Sequence, residues 1–479
     1  MTIAELQPQG IWKAFHALTQ VPRPSGHLEK VQEFLLNWAE TNGFENFKDN
    51  AGNIIVRVPA TPGMEDHKMV TMEAHMDMVP QKTQESTHDF LTDPIETYID
   101  GDWVKAKGTT LGSDDGMGVA TAMAIFEDKT LKHGPLEAIF TVDEETCMYG
   151  VNNLLPTTLK GEILLNLDNE TEGEFVIGSA SGVDVAAEMT YTPEAAPAGA
   201  AVQIAISGLK GGHSGLEINE GRANANKLLA NIAKELLDAG YALASWEGGD
   251  MRNAIPSRGN IVVVAPADKV AEIKAVAAKW EQTYQAEYKG IEDGPVIAAT
   301  EVAAPAEVIP AAVAMNITKA VLATAVGPYR FIPSMPSIVE TSCNLGIVVA
   351  ANGKAEADVL VRSSCDSKLD ELALSAACAL ELGGFSVEYK GKYPAWQPDF
   401  DSPLVAKLQE VYKEVNGEDC IVTVCHAGLE CGIIKTVYPE MDAVSFGPTL
   451  RSPHTPNERC NIPSVAKYYN FVVKLLENL

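Results

Sequence analysis

Cysteine is scarce in this chain: 8 residues in 479, none in a CxxC pair, the nearest spacings being Cys420, Cys425 and Cys431. That excludes a disulfide framework and a zinc knuckle. Positive charge is also short. Against 65 Asp and Glu stand 36 Lys and Arg, leaving a net charge of −29. Such a surface repels nucleic acid and anionic membrane, so neither is expected as a partner; taken alone, the charge says only that the chain is soluble. No apolar run approaches the ~18 residues of a membrane span. The opening Met1-Thr2-Ile3-Ala4-Glu5 lacks a basic stretch followed by an apolar run, so no signal peptide is expected. Together these absences point to the cytoplasm.

What is present is a globular composition, 46% hydrophobic and 21% charged, on a chain too long for one core. Two domains are expected, or three. Up to about residue 187 helices and strands alternate. Leu28, Val31, Phe34, Leu35 and Trp38 mark one helix face, with Ser25 as its candidate cap. Lys68 to Met72, Leu136 to Val142 and Ile163 to Leu167 read as strands, and Val119 to Phe126 as a buried helix after a glycine-rich turn. Strands separated by helices predict an α/β domain with a mostly parallel sheet and flanking helices.

Pro193 to Ala201, rich in Pro and Ala, reads as a link. Beyond it come strands (Val202 to Ser207, Gly259 to Val264, Ser342 to Val349, Ala357 to Arg362) and helices (Ala223 to Leu237, Lys269 to Gln285, Leu369 to Leu382) of an α+β region. A second Ala/Pro-rich stretch, Ala303 to Ala314, is either a divider of that region or a loop within it. From Asp401 the α/β rhythm returns, with a helix at Leu404 to Val415, a strand at Ala443 to Phe446 and a last helix at Val465 to Leu476. The simplest organisation is one α/β domain, 1–187 and 396–479, interrupted by an inserted α+β domain, 188–395.

The chemistry-bearing residues follow the predicted strands. In Met72-Glu73-Ala74-His75-Met76-Asp77 the His and Asp are two apart and point the same way on extended backbone. Alone, this is as well read as a hydrogen-bonded pair. Leu111-Gly112-Ser113-Asp114-Asp115-Gly116-Met117-Gly118 turns sharply, and Asp114 has a helix cap as its plain alternative. Asp143-Glu144-Glu145 repel one another directly after an apolar strand, and either solvent or a metal must relieve them. Asp168 ends the third strand. His454 lies in the proline-fixed loop Ser452-Pro453-His454-Thr455-Pro456-Asn457-Glu458, where a surface histidine is the alternative. Jointly, four acid or His sets sit at the carboxyl ends of strands, where open α/β sheets bind ligands. Imidazole and carboxylate without thiolate suit zinc, cobalt or manganese.

With these motifs in order, the sequence resembles the co-catalytic zinc exopeptidases that include aminoacylases and glutamate carboxypeptidases. Further segments resemble the aminoacyl-histidine dipeptidase branch. They are His75-Met76-Asp77-Met78-Val79-Pro80-Gln81-Lys82, Gly211-Gly212-His213-Ser214-Gly215, Arg252-Asn253-Ala254-Ile255-Pro256-Ser257-Arg258 and His426-Ala427-Gly428-Leu429-Glu430-Cys431-Gly432. The resemblance spans essentially the whole chain and lacks no ligand; Asp115 is not expected to be one.

It implies two Zn²⁺ per subunit, with Co²⁺ or Mn²⁺ as substitutes. His75 and Asp168 are implied on one ion, Glu145 and His454 on the other, and Asp114 on both. Asp77 is implied to orient His75, Glu144 to act as general base, and His213 to donate to the oxyanion, in its own subunit or across a homodimer formed through the inserted domain. That domain is expected to act as a lid. Asn253 and Arg362 are candidates for gripping the substrate, Arg362 by its terminal carboxylate. His426 and Glu430 either line the pocket or pack. Two ions carry +4 and three acidic ligands −3, and the remainder favours hydroxide over water. The implied activity is hydrolysis of dipeptides, preferentially aminoacyl-histidine. A deacylase of N-acyl amino acids or a tripeptidase would share the metal ligands. A non-catalytic metal-binding protein would have no need of Glu144.

Overall fold

A computed structural model describes residues 2–479, which form two compact units. The first takes the chain up to Ser179 with Trp396–Val424 and Leu429–Leu479; the second is Ala180–Ala395 with Cys425–Gly428.

The first unit is built on an eight-stranded sheet. Its order is Glu45–Lys48, Ile54–Val58, Leu136–Thr141, Val70–His75, Ile163–Asn166, Asp442–Ser445, Glu174–Ser179 and Ile421–Cys425. The four strands from Leu136–Thr141 to Asp442–Ser445 run parallel, while the Ile54 and Glu174 strands flank them antiparallel. The sheet is therefore parallel at its centre and mixed at its edges. Val70–His75 and Leu136–Thr141 are buried at all six positions, as strands covered on both faces must be. Helix Gln9–Thr19 contributes Ile11, Trp12, Phe15 and Leu18 to the core, and Ser113–Glu127 is buried along nearly its whole length.

The second unit holds a nine-stranded antiparallel sheet. Along it run Val296–Val302, Ala200–Ser207, Gly259–Ala265, Ala242–Gly248, Met335–Ala351, Lys354–Ser363, Ser181–Thr190 and Ser386–Tyr393, with Gly327–Ile332 on the Met335 strand. Alternate residues Val202, Ile204 and Ile206 join one core with Leu229, Ile273, Ile317 and Leu369 of four helices.

Several expectations need correction. The chain passes to the second unit after Ser179, not at 187/188, because Ser181–Thr190 pairs along its length with Lys354–Ser363 in the antiparallel sheet. It also returns there for Cys425–Gly428. The two Ala/Pro-rich stretches divide nothing: Glu194–Ala195 in one pairs with Glu307–Val308 in the other. Ser25 caps no helix. The helix begins at Glu29 with Leu28 at its cap, and the Ser25 hydroxyl donates instead to Asp77 Oδ2 at 2.7 Å. Among the described residues no helix is long and apolar enough to cross a membrane.

One buried ion pair ties the sheet beneath the site. Arg57 Nε donates to Glu137 Oε2 at 2.7 Å and Nη2 to the Thr158 carbonyl at 2.7 Å, while Glu137 Oε1 accepts from Thr71 Oγ1 at 2.9 Å. Glu137 is fully buried. Arg57→Met should therefore cost about 3–5 kcal/mol by stranding that carboxylate. A lowered denaturant midpoint is expected; an unchanged one would mean that Glu137 does not depend on the guanidinium.

Candidate active site

The four parallel strands of the first unit end on one edge, and each delivers a candidate residue there. His75 closes the Val70 strand, Asp168 follows Ile163–Asn166, and His454 lies in the loops after Asp442–Ser445. After Leu136–Thr141 the chain turns at Asp143, whose φ of 54° is left-handed, into the single helical turn Glu144–Cys147. Successive residues on a helix diverge by about 100°. The three acids separate accordingly: Asp143 Oδ1 accepts from the Gly26 amide at 2.6 Å, Glu145 lies 3.0 Å from His454 Nε2, and Glu144 lies half-buried beside His75.

Asp114 is the common partner. His75 Nε2 is 3.1 Å from its Oδ1 and His454 Nε2 is 3.0 Å from its Oδ2. Asp168 Oδ1 is 3.8 Å from His75 Nε2. Two groups, His75–Asp114–Asp168 and Asp114–Glu145–His454, each have ligand atoms within 4.8 Å of one another. Both are sets of imidazole nitrogen and carboxylate oxygen, the donors that suit Zn²⁺, Co²⁺ or Mn²⁺. A third group, His75–Glu144–Glu145, overlaps them.

The electrostatics agree with a site built for cations. Burial opposes protonation of His75, but Asp168, Asp114 and Asp77 hold its pKa well above the ordinary imidazole value. Hydrogen bonds to Asp114 and Glu145 push His454 up to about 11. Burial pushes Glu144 up to about 8, with Glu145, Asp114 and Asp77 adding repulsion that His75 only partly offsets. Asp168 is raised well above the carboxylate range by burial and by the charges of Asp114, Asp115 and Glu144. Asp114 goes the other way: burial would raise it, but its two histidine partners hold it far below the usual range.

Asp77 Oδ1 stands 3.4 Å from His75 Nδ1. Its carboxylate also accepts from Ser25 Oγ at 2.7 Å and from the amides of Glu144 at 3.1 Å and Glu145 at 3.4 Å. One buried carboxylate thus ties the histidine to the acidic turn. Asp115, beside Asp114, does the capping that was the plain alternative for its neighbour: Oδ1 accepts from the Gly118 amide at 3.0 Å.

Two residues that sequence reading passed over complete this region. Arg23 is buried; its Nη1 donates to the carbonyls of Met76 at 3.0 Å and Asp77 at 2.8 Å, and its Nη2 donates to Gly112 O. Glu458, 2% exposed, accepts from the amides of Leu111, Gly112, Ser113 and Asp114 at 2.8, 3.0, 2.7 and 3.3 Å and from Ser113 Oγ at 2.7 Å. Glu458 ends the His454 motif and was legible as part of it. Arg23, between Pro22 and Pro24, carried no signal. Gly116 also takes a different meaning: a Cβ there would stand 2.5 Å from Arg23 Nη2, so this glycine makes room and Gly112, at φ 68°, makes the turn.

Of the other candidates, Glu430 belongs to the first unit but is 2% exposed and accepts from Thr141 Oγ1 at 2.7 Å, which favours packing over pocket lining. Burial and the neighbouring Glu73 raise its pKa well above the usual range. The second unit holds His213, Asn253, Arg362 and His426. Arg362 is 6% exposed; its Nη1 donates to Tyr393 Oη at 2.8 Å and its Nε is buried without a hydrogen-bond partner. His426 Nε2 is 2.7 Å from Ser342 Oγ. Asn253 is exposed, and its carbonyl accepts from the Ser214 amide at 2.9 Å. His213 Nδ1 accepts from the amides of Gly215 at 3.1 Å and Leu216 at 3.0 Å. An acceptor Nδ1 carries no hydrogen, so neutral His213 has its N–H at Nε2. Burial, and then the charge of Arg362, lower its pKa to about 4.

Residues 71–478 match Peptidase family M20/M25/M40, and the chain belongs to that family of peptidases. It is 39% identical over 479 residues to the cytosol non-specific dipeptidase of Escherichia coli (strain K12), covering 100% of this chain and 99% of that one. It superposes with a TM-score of 0.91 on the aminoacylhistidine dipeptidase of Vibrio alginolyticus, at 40% identity and covering 100% and 98% of the two chains. An aminopeptidase PepT from Bacillus cereus shares the fold at a TM-score of 0.61 and 16% identity, covering 98% of each chain.

The His213 geometry has a direct signature. At pH 5.5 an ordinary histidine, with pKa near ~6.5, is mostly protonated. His213 should remain neutral with its hydrogen on Nε2, read from the two ring ¹⁵N shifts of histidine-labelled protein. A protonated ring at that pH would remove the two-amide cradle as its determinant.

Proposed function

We propose that this chain is a cytosolic, metal-dependent dipeptidase, with aminoacyl-histidine dipeptides among its preferred substrates. The observation that carries the reading is the sharing of Asp114 between two N/O donor groups at the carboxyl edge of the parallel sheet. His75 and Asp168 would hold one divalent cation and Glu145 and His454 a second, with Asp114 available to both; zinc fits this donor set, and cobalt and manganese are compatible. What such cations supply when bound is Lewis acidity, which polarises a carbonyl and acidifies water.

The chain's own residues do the rest. Asp77 keeps the hydrogen of His75 on Nδ1, so that Nε2 presents its lone pair. Glu144 precedes ligand Glu145 on a helical turn but points elsewhere, and it takes the proton of the attacking water and passes it to the leaving amine. His213, with its hydrogen on Nε2, donates to the developing oxyanion. Arg362 has an unpartnered buried Nε and receives the terminal carboxylate; His426 and Asn253 assist in holding the substrate. The second unit acts as the lid that selects short peptides.

Cytosolic location is supported by the cytosolic relative and the scarcity of cysteine. Homodimerisation through the second unit is supported by the edge strand Gly327–Ile332, on which Tyr329 and Phe331 are exposed.

The test is hydrolysis by the Zn²⁺-loaded protein of dipeptides, tripeptides and N-acetyl amino acids. Dipeptides, aminoacyl-histidine included, should be cleaved and the other two classes resisted. Faster cleavage of either other class would replace the dipeptidase reading with a tripeptidase or deacylase. Glu144→Ala should keep its metal but lose turnover by ~10²-fold or more, within the range for a general base. Near-normal turnover in the metallated variant would remove Glu144 from that role. Asp114→Ala should lose more metal than any other single ligand change, because both donor groups would lose the carboxylate they share. Metal analysis showing full sites would refute the sharing.

A further inference from the structure

We propose that Glu458 and Arg23 are positioning residues that clamp the Gly112–Asp114 turn from both sides and hold Asp114 where both histidines can reach it. The inference rests on the reading of Asp114 and His454 as metal ligands and extends it to two residues that hold the turn from behind.

The turn is short of internal support. Gly112 is left-handed at φ 68°, and Asp114 and Asp115 have non-helical backbone angles at the start of the helix Ser113–Glu127. Four consecutive amides, Leu111 to Asp114, consequently point away from any regular ladder. Glu458 collects all four, and the Ser113 hydroxyl as well. A carboxylate can accept several N–H bonds at once, and each charge-assisted bond is stronger than a neutral one. From the other side, the Arg23 fork joins Gly112 O to the carbonyls of Met76 and Asp77. The anion therefore fastens the turn to the loop carrying His454, and the cation fastens it to the segment carrying His75.

Three segments that each bring a ligand are thus cross-tied by two buried charges. Their sequence separations are large: Glu458 is 345 residues from Ser113 and Arg23 is 89 from Gly112. Gly112 and Gly116 leave the space the guanidinium occupies, since a Cβ at either would meet Arg23 Nη2 at 2.7 and 2.5 Å. Outer partners that orient metal ligands commonly change metal affinity by roughly 10- to 100-fold.

Glu458→Gln is the test, because it keeps shape but turns an amide NH₂ toward some of the four N–H groups. Metal-stripped full-length protein is titrated with Co²⁺, followed by calorimetry and by the visible absorption of the bound ion, beside the melting temperature of the metal-free form. We expect Co²⁺ binding roughly 10- to 100-fold weaker and a shifted absorption band. If Glu458→Gln does not fold, Ser113→Ala decides: it removes only the hydroxyl contact and should weaken Co²⁺ in the same direction by less. Unchanged Co²⁺ affinity and spectrum in the folded variant, whatever its melting temperature, would reduce Glu458 to a structural residue and overturn the inference. Failure of the unsubstituted protein to bind Co²⁺ would instead sink the metal-ligand reading beneath it.

Discussion

Carboxylates repel one another, and the first unit nonetheless gathers Asp77, Asp114, Glu144, Glu145 and Asp168 around two imidazoles. At ~4 Å and an effective dielectric of ~20, each like-charged pair costs about 4 kcal/mol. Protonation, cations or directed N–H groups must offset that repulsion. The raised pKa values of Glu144 and Asp168 and the high values of both histidines express it. The surrounding arrangement answers it: Asp77 is wrapped by a hydroxyl and two amides, Asp114 by two imidazoles, Glu458 by four amides. A site of this composition favours positive charge, whether from its two imidazoles or from a bound cation.

The two units solve different problems. A parallel sheet ends all its central strands on one edge, so residues remote in sequence converge there without any long side chain. The second unit is antiparallel, and its candidate substrate-facing groups are cationic or neutral: Arg362, with a buried unpartnered Nε, and two histidines kept neutral by burial and by that arginine. His213 is the clearest example of local backbone deciding chemistry. Two amides two and three residues on occupy its Nδ1, and that alone selects which nitrogen can donate.

Much of this was legible from the sequence because it depends on short-range periodicity. Fully buried apolar runs marked the central strands, and acids or histidines just after them marked the edge where a ligand binds. The motifs around His75, Asp114–Asp115, Asp143–Glu145, Asp168 and His454 could be grouped on that ground from the chain alone, as could the order of an α/β part, an α+β part and a return to α/β. Which residues within those motifs are ligands was implied only by the family resemblance.

What only the tertiary structure decided are the partners. Ser25 is unremarkable as a helix cap until Asp77, 52 residues on, takes its hydroxyl. The boundary at Ser179 depends on which strand Ser181–Thr190 pairs with, and composition does not carry that information. Arg23 and Glu458 lie 89 and 345 residues from the atoms they hold. Sequence pattern reports which face of an element is buried and how the next few residues turn. It does not report which distant amide or carbonyl will meet a buried charge, because that meeting is set by the packing of whole elements. The chain by itself therefore determined the motifs from which cation-binding groups could come; the fold determined which of those groups meet and what holds them still.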